Sequence, residues 1–305
     1  MNKNKLIKII SVIIVLVLSA YYIYINFVDF LEVEISNFHL IIFIVFIYLL
    51  YVFNTGLILK YLLKPYKINL SFKQYFGLSA ISLFYNLILP FRGGAVVRAV
   101  YLKKKFSFNY SKFLSTMYGT YLASFFTTGF VGTMFLIFIK ITENYFNVFL
   151  FLFFLCFTAI MAFFMFVNHK YYSGVFKWIK PVNKVLLGWE EIQKDRFSIL
   201  IVIVFSTINL FLFGLIFSLE FLMLSEYISY YKLVFLACIS NLSLFLSITP
   251  GSLGVKEVLT SFVGVVLLLP EIKVVSVLIL DRIFTSLIVI VVGLFFSKLL
   301  ISKKK

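Results

Sequence analysis

The sequence is short of the groups from which a water-soluble surface is made. Of its 305 residues only 13% are charged, and 12 are acidic. Average soluble chains carry roughly 25% charged residues, so a soluble enzyme or a disordered chain is excluded. There are two cysteines and two histidines. Cys156 and Cys238 lie inside apolar runs, and His39 and His169 at the edges of such runs. None has metal-ligand spacing, and two buried thiols make no disulfide framework. A Walker loop, a Ser-His-Asp set and a soluble domain able to hold a nucleotide are also missing. No catalytic residue, metal or cofactor is expected.

Apolar matter is abundant: 63% of residues are hydrophobic and 20% aromatic, with forty Phe and nineteen Tyr. The mean hydropathy is +1.08. A soluble core could not hide that many rings. A transmembrane β-barrel would show short alternating strands instead. The fold class is therefore an all-α polytopic membrane protein, a single integral membrane domain over 1–305. The net charge of +16 would point to nucleic acid in a soluble protein. Here it marks cytoplasmic loops, and no nucleic-acid partner is expected.

Runs of about 20 apolar residues, long enough to cross ~30 Å of hydrocarbon, fall at 6–28, 38–63, 113–139, 145–168, 198–224 and 273–297. The first continues past Ala20 and reads as an uncleaved anchor. Residues 75–91 and the short run 95–102 form a pair, as do 231–249 and 254–269, which are split by Pro250 and Gly251. An eight-residue arm reaches only ~12 Å as helix, so 75–102 reads as a re-entrant hairpin.

Lys and Arg number three in the N-terminus, four in 60–73, six in 92–112, six in 170–196 and four from 298 onward, 23 of the 28 in all. That places both termini in the cytoplasm and makes the cell membrane the expected location. Asp29, Glu32, Glu34, Glu143, Glu226 and Glu271 then lie on the outer face. Landmarks of the first half recur 160 residues later: 38 with 198, Pro90 with Pro250, Gly94 with Gly254, 113 with 273. The expectation is an inverted-topology repeat of about 38–139 and 198–297, each half a span, a broken hairpin and a span. Spans 6–28 and 145–168 stand outside it. The total is six full spans plus two re-entrant helical hairpins.

The first break runs from Asn86 through Pro90, Arg92, Gly93 and Gly94 to Arg98. Proline ends the incoming helix, paired glycines allow a sharp reversal, and a restarting helix offers N–H groups to an anion. Arg92 and Arg98 add two permanent charges. The second break, Thr249 to Glu257, has the same form, with Pro250, Gly251 and Gly254 followed by Lys256 and Glu257. Asp281 and Arg282 sit inside the last span. They read equally as a structural ion pair with Glu257 or Lys256 and as substrate contacts.

The segments NLILPFRGGAVVRAVYLKKK and ITPGSLGVKE, followed by a span carrying Asp281-Arg282, resemble the flippase-like family that includes the transmembrane region of lysylphosphatidylglycerol synthases. The resemblance covers nearly the whole chain. Members often carry Gly-Glu before the first-hairpin arginine, where this chain has Gly94-Ala95. Fused members end in a cytosolic aminoacyl-transferase domain, whereas this chain stops at Lys305 and looks like a stand-alone module without synthase activity. The resemblance implies movement of an anionic phospholipid or polyprenyl-phosphate-linked headgroup between leaflets, with membrane lipids as partners and a homo-oligomer as an option. Two alternatives stay open: a membrane-embedded lipid-phosphate-dependent glycosyl or lipid transferase using the acidic loop Asp29, Glu32 and Glu34, and a non-transporting assembly factor.

This topology is testable by cysteine labelling. Cysteines placed at Asn69 and at Ser107 should react with impermeant thiol reagents only from the cytoplasm, and one at Ser36 only from outside. Labelling of positions 69 and 107 from opposite faces would break the repeat.

Overall fold

In a computed structural model the described residues are 34–89, 92–167, 179–246, 252 and 254–301. Among them are ten α-helices and no strand. They are α1 (Leu40–Leu63), α2 (Phe72–Ile88), α3 (Gly93–Phe106), α4 (Tyr110–Glu143), α5 (Val148–Phe166), α6 (Lys180–Gln193), α7 (Arg196–Met223), α8 (Tyr230–Leu242), α9 (Val255–Val266) and α10 (Glu271–Leu300). Five are long and apolar enough to cross a membrane: α1, α4, α5, α7 and α10. The expected span 6–28 lies outside the described residues. The four helices α2, α3, α8 and α9 hold 17, 14, 13 and 12 residues, so each extends at most about 26 Å at 1.5 Å per residue, short of the ~30 Å hydrocarbon core.

Local chemistry sets the helix ends. The Ser71 N–H donates to Gln74 Oε1 (2.9 Å) ahead of α2, half of a capping box. Asp195 accepts from the Ser198 N–H (3.1 Å) ahead of α7, and Asn147 from the Leu150 N–H (3.0 Å) ahead of α5. The helix α3 is longer than the expected arm 95–102. Lys103, Lys104 and Lys105 are all exposed on it, and lysine is a good helix former whose charge stays in solvent. A second difference is α6, in a stretch that reads in sequence as a basic loop. Its Leu186, Trp189 and Ile192 form one buried face, with Trp189 against Gly119 of α4. Ser115 Oγ donates to the Val185 carbonyl and Tyr66 to the Gly188 carbonyl, each at 2.7 Å.

The packing has a regular plan. Within the first set of four, α2 packs on both α1 and α3; within α7 to α10, α8 packs on both α7 and α9. Between the sets, α1 lies along α7, α2 along α10, and α8 along α4. Lipid tails are as apolar as leucine, so such contacts depend on small residues and polar links. Asn54 of α1 donates to the Phe205 carbonyl (2.6 Å) and to Asn209 Oδ1 (2.7 Å) on α7. Asn241 of α8 donates to Ser124 Oγ (2.8 Å) and Thr128 Oγ1 (2.6 Å) on α4. Gly293 lets α10 close on Phe84 of α2.

A Cβ at Gly56 would lie 2.8 Å from the carbonyl oxygen of Tyr75, where α1 meets α2. Backbone cannot give way as a side-chain tip does, so Gly56→Ala should cost about 1–3 kcal/mol, as overpacking does. Asn54→Ala should cost less, since interhelical bonds in membranes average about 0.6 kcal/mol. Thermal unfolding in detergent orders the two, and a wild-type melting temperature for Gly56→Ala would contradict this contact.

Candidate functional site

The two breaks bring the candidate residues to the centre of the bundle. After α2 ends, Arg92 takes a left-handed conformation (φ 55°) at the N-terminus of α3. That conformation costs a non-glycine residue roughly 1–2 kcal/mol. It leaves the Arg92 guanidinium 4.7 Å from the centre of the Tyr121 ring on α4, a cation–π contact. The Gly94 N–H donates to Asn86 Oδ1 (2.9 Å), and a Cβ on Gly94 would run into the Ser82 carbonyl oxygen. The glycine thus lets α3 fold back onto α2, and its N–H is occupied.

At the second break α9 starts after Gly254, whose φ of 84° belongs to glycine. Its N–H donates to Glu257 Oε2 (2.7 Å). Pro90, Pro250 and Gly251 lie outside the described residues. The reading of Gly94 and Gly254 as open N–H donors for an anion is therefore corrected: in each case a nearby side chain, Asn86 or Glu257, caps the donor, because a bare N–H between apolar helices is costly. The placement of Gly93 at the first residue of α3 fits a reversal and gives it no polar side chain to offer.

Two consecutive residues of α9 meet two consecutive residues of α10. Lys256 pairs with Asp281, and Glu257 Oε1 accepts from Arg282 Nε at 2.7 Å. Lys256 also lies 4.6 Å from the centre of the Phe213 ring on α7. The structural ion pair and the open contact turn out to be compatible. Lys256, Asp281 and Arg282 are paired and also line a cavity of about 340 Å³. Asn86, Arg92 and Arg98 line its other side. Gly93, Gly94, Gly254 and Glu257 stand behind this lining and hold it.

Arg98 differs from the other cations. It is 8% exposed, and its Nε is buried with no hydrogen-bond partner among the described residues. An unpaired buried guanidinium is expensive and is expected where a ligand supplies the missing acceptor. The cavity wall is otherwise rich in hydroxyls and amides, including Tyr48, Tyr51, Thr120, Tyr121, Asn209 and Asn241. Sequence reasoning did not find these. The isolated amides Asn54, Asn209 and Asn241 inside apolar runs were the available signal. It also passed over Glu220, a lone acid in α7 that is fully buried. Among the described residues no group of three His, Cys, Asp or Glu could hold a metal ion.

A match to the family described as "Lysylphosphatidylglycerol synthase TM region" spans residues 8–293. The chain belongs to that family. No curated protein and no solved structure matches it. Membership makes the chain a multi-pass membrane protein, in keeping with its five apolar helices. Ala95 also lines the cavity, so no carboxylate stands at position 95 between Arg92 and Arg98.

The charge pairing predicts a double-mutant result. Lys256→Met leaves a buried Asp281 without its cation and should cost up to about 3–5 kcal/mol. Lys256→Met combined with Asp281→Leu should recover most of that stability in denaturant unfolding. Additive losses would mean the two side chains do not interact.

Proposed function

We propose that this family member is a transporter of the cell membrane that moves an anionic phospholipid or lipid-linked headgroup between leaflets, without covalent chemistry. The observation that carries the reading is Arg98: a buried guanidinium on the wall of a central cavity, whose Nε lacks an acceptor among the described residues. A headgroup phosphate supplies planar oxygen pairs matched to a guanidinium fork. The hydroxyls and amides around it suit the glycerol or sugar part of such a headgroup, and the apolar exterior suits its acyl chains.

In this reading α2–α3 and α8–α9 are re-entrant hairpins, entering from the cytoplasm and from the exterior respectively. The chain is then an inverted repeat with both termini inside. Three features support it: the arms fall short of the hydrocarbon thickness, 23 of 28 basic residues cluster in five segments that this topology puts on one side, and each hairpin's first helix packs on the last span of the other half. Broken helices meeting at the midplane are the usual setting for a transporter site.

Charge-assisted hydrogen bonds contribute ~1.5–3 kcal/mol each, and 1.4 kcal/mol is one decade. Arg98→Gln should therefore slow exchange of fluorescent phosphatidylglycerol in proteoliposomes by roughly tenfold to a hundredfold. Arg98→Lys keeps the charge and loses the fork, so it should fall between. Lys104→Gln, on an exposed position of α3, serves as control. Exchange by folded Arg98→Gln at the control's rate would refute the site.

A further inference from the structure

Glu220 has no part in the site described so far. It is fully buried, and neither carboxylate oxygen has a hydrogen-bond partner among the described residues. It follows Phe213 and Phe217 at i, i+4 and i+7, so the three share one face of α7. Lys256 lies over the rings of that face, 4.6 Å from the centre of Phe213 and 5.7 Å from that of Phe217. Lys256 is also the partner of Asp281, so it joins this face of α7 to that carboxylate. Asp281 is only 2% exposed; one of its oxygens takes Lys256, and the other, Oδ1, is buried without a partner among the described residues. Three buried carboxylate oxygens thus lack a donor among the described residues, and the Lys256 ammonium is already engaged.

Two carboxylates in one apolar site cannot both stay ionised beside a single cation. The repulsion and the missing water together force one to hold a proton, as in other carboxylate pairs. We infer that Glu220 and Asp281 form a proton-binding site, holding one proton between them beside Lys256. A metal cation would meet the Lys256 ammonium at close range, whereas a proton cancels a carboxylate charge without adding a second cation.

The elements packed on α7 carry further ionisable groups: Tyr48, Tyr51, Lys60 and Tyr61 on α1, Tyr230, Tyr231, Lys232 and Cys238 on α8, and Glu271, Lys273, Arg282 and Lys298 on α10. Tyr110, Lys112, Tyr118, Tyr121, Lys140 and Glu143 are carried by α4, and Lys180, Lys184, Glu190 and Glu191 by α6. Arg282 is taken by Glu257.

Coupling to transport follows, and this step rests on the proposed function. When a headgroup phosphate draws Lys256 from Asp281, the bare Asp281 carboxylate takes a proton from water and becomes neutral. One proton is then held for each headgroup charge, and it returns to water when the headgroup leaves and Lys256 goes back. A monoanionic headgroup and its proton would cross together with no net charge.

Two measurements on the full chain separate the proton site from the transport reading. Infrared spectra of the detergent-solubilised protein at neutral pH should contain a protonated-carboxyl band that Glu220→Gln or Asp281→Asn removes or shifts. The exposed control Glu34→Gln should leave it intact. In proteoliposomes with fluorescent phosphatidylglycerol, exchange should change by up to about tenfold per unit of imposed pH difference, and Asp281→Asn, which removes the acceptor of the coupled proton, should abolish that dependence. In the infrared test either variant stands in for the other if one does not fold. Absence of the band, or a band untouched by both substitutions, overturns the proton site. So does exchange that follows sodium and ignores pH. The band without any lipid exchange upholds the proton site and removes the transport reading.

Discussion

An ionised group between apolar helices must be met by an opposite charge, an aromatic face, a proton or a ligand, because its surroundings supply no water to it. Most features of the centre of this fold follow from that demand. Lys256 is met by Asp281 and the Phe213 ring, and Arg282 by Glu257. Arg92 accepts a left-handed backbone and reaches the Tyr121 face. The backbone follows the same rule at two points: the Gly94 N–H is taken up by Asn86 and the Gly254 N–H by Glu257.

That rule acts through close packing. Four short helices can lie inside the bundle only if their neighbours approach closely, and glycine provides the room. Gly94 brings α3 against the Ser82 carbonyl of α2, Gly56 brings α1 against Tyr75, and Gly293 brings α10 against Phe84. With α2 seated on α10 and α8 on α4, residues flanking both breaks line one cavity. The polar residues at those ends, scattered from position 86 to position 282, therefore share a wall.

Much of this could be read from the chain. The long apolar runs became α1, α4, α5, α7 and α10 within a few residues of the expected ends, because a span's length is fixed by hydrocarbon thickness. The breaks were legible as proline and glycine, and they delivered Asn86, Arg92, Arg98, Lys256, Asp281 and Arg282 to one place. The helix α6 was hidden because its basic residues resemble a loop, although its buried face repeats at helical spacing. Tyr48, Tyr51 and Tyr121 were hidden among so many aromatics that none stood out. The cap roles of Asn86 and Glu257 needed coordinates, since sequence marks a possible donor or acceptor without saying which partner takes it.

The helices around the two breaks share a packing plan and differ as electrostatics. The α2–α3 side contributes Arg92 and Arg98 with no acid at position 95, and Arg98 keeps an unanswered donor. The α9–α10 side is balanced residue by residue, Lys256 with Asp281 and Glu257 with Arg282, and beyond it stands the extra acid Glu220. A strictly symmetric charge pattern would hold a headgroup equally at both breaks and give it no reason to leave either. Here the Arg98 Nε lacks an acceptor among the described residues, while the surplus acid, Glu220, is buried outside the cavity lining. In the proposed transport reading, an anion entering the cavity would be drawn toward Arg98 and would engage Lys256 only by displacing Asp281. The energy of that displacement would depend on whether Asp281 can be neutralised, so on that reading occupation of the first break and protonation at the second are linked through a single lysine.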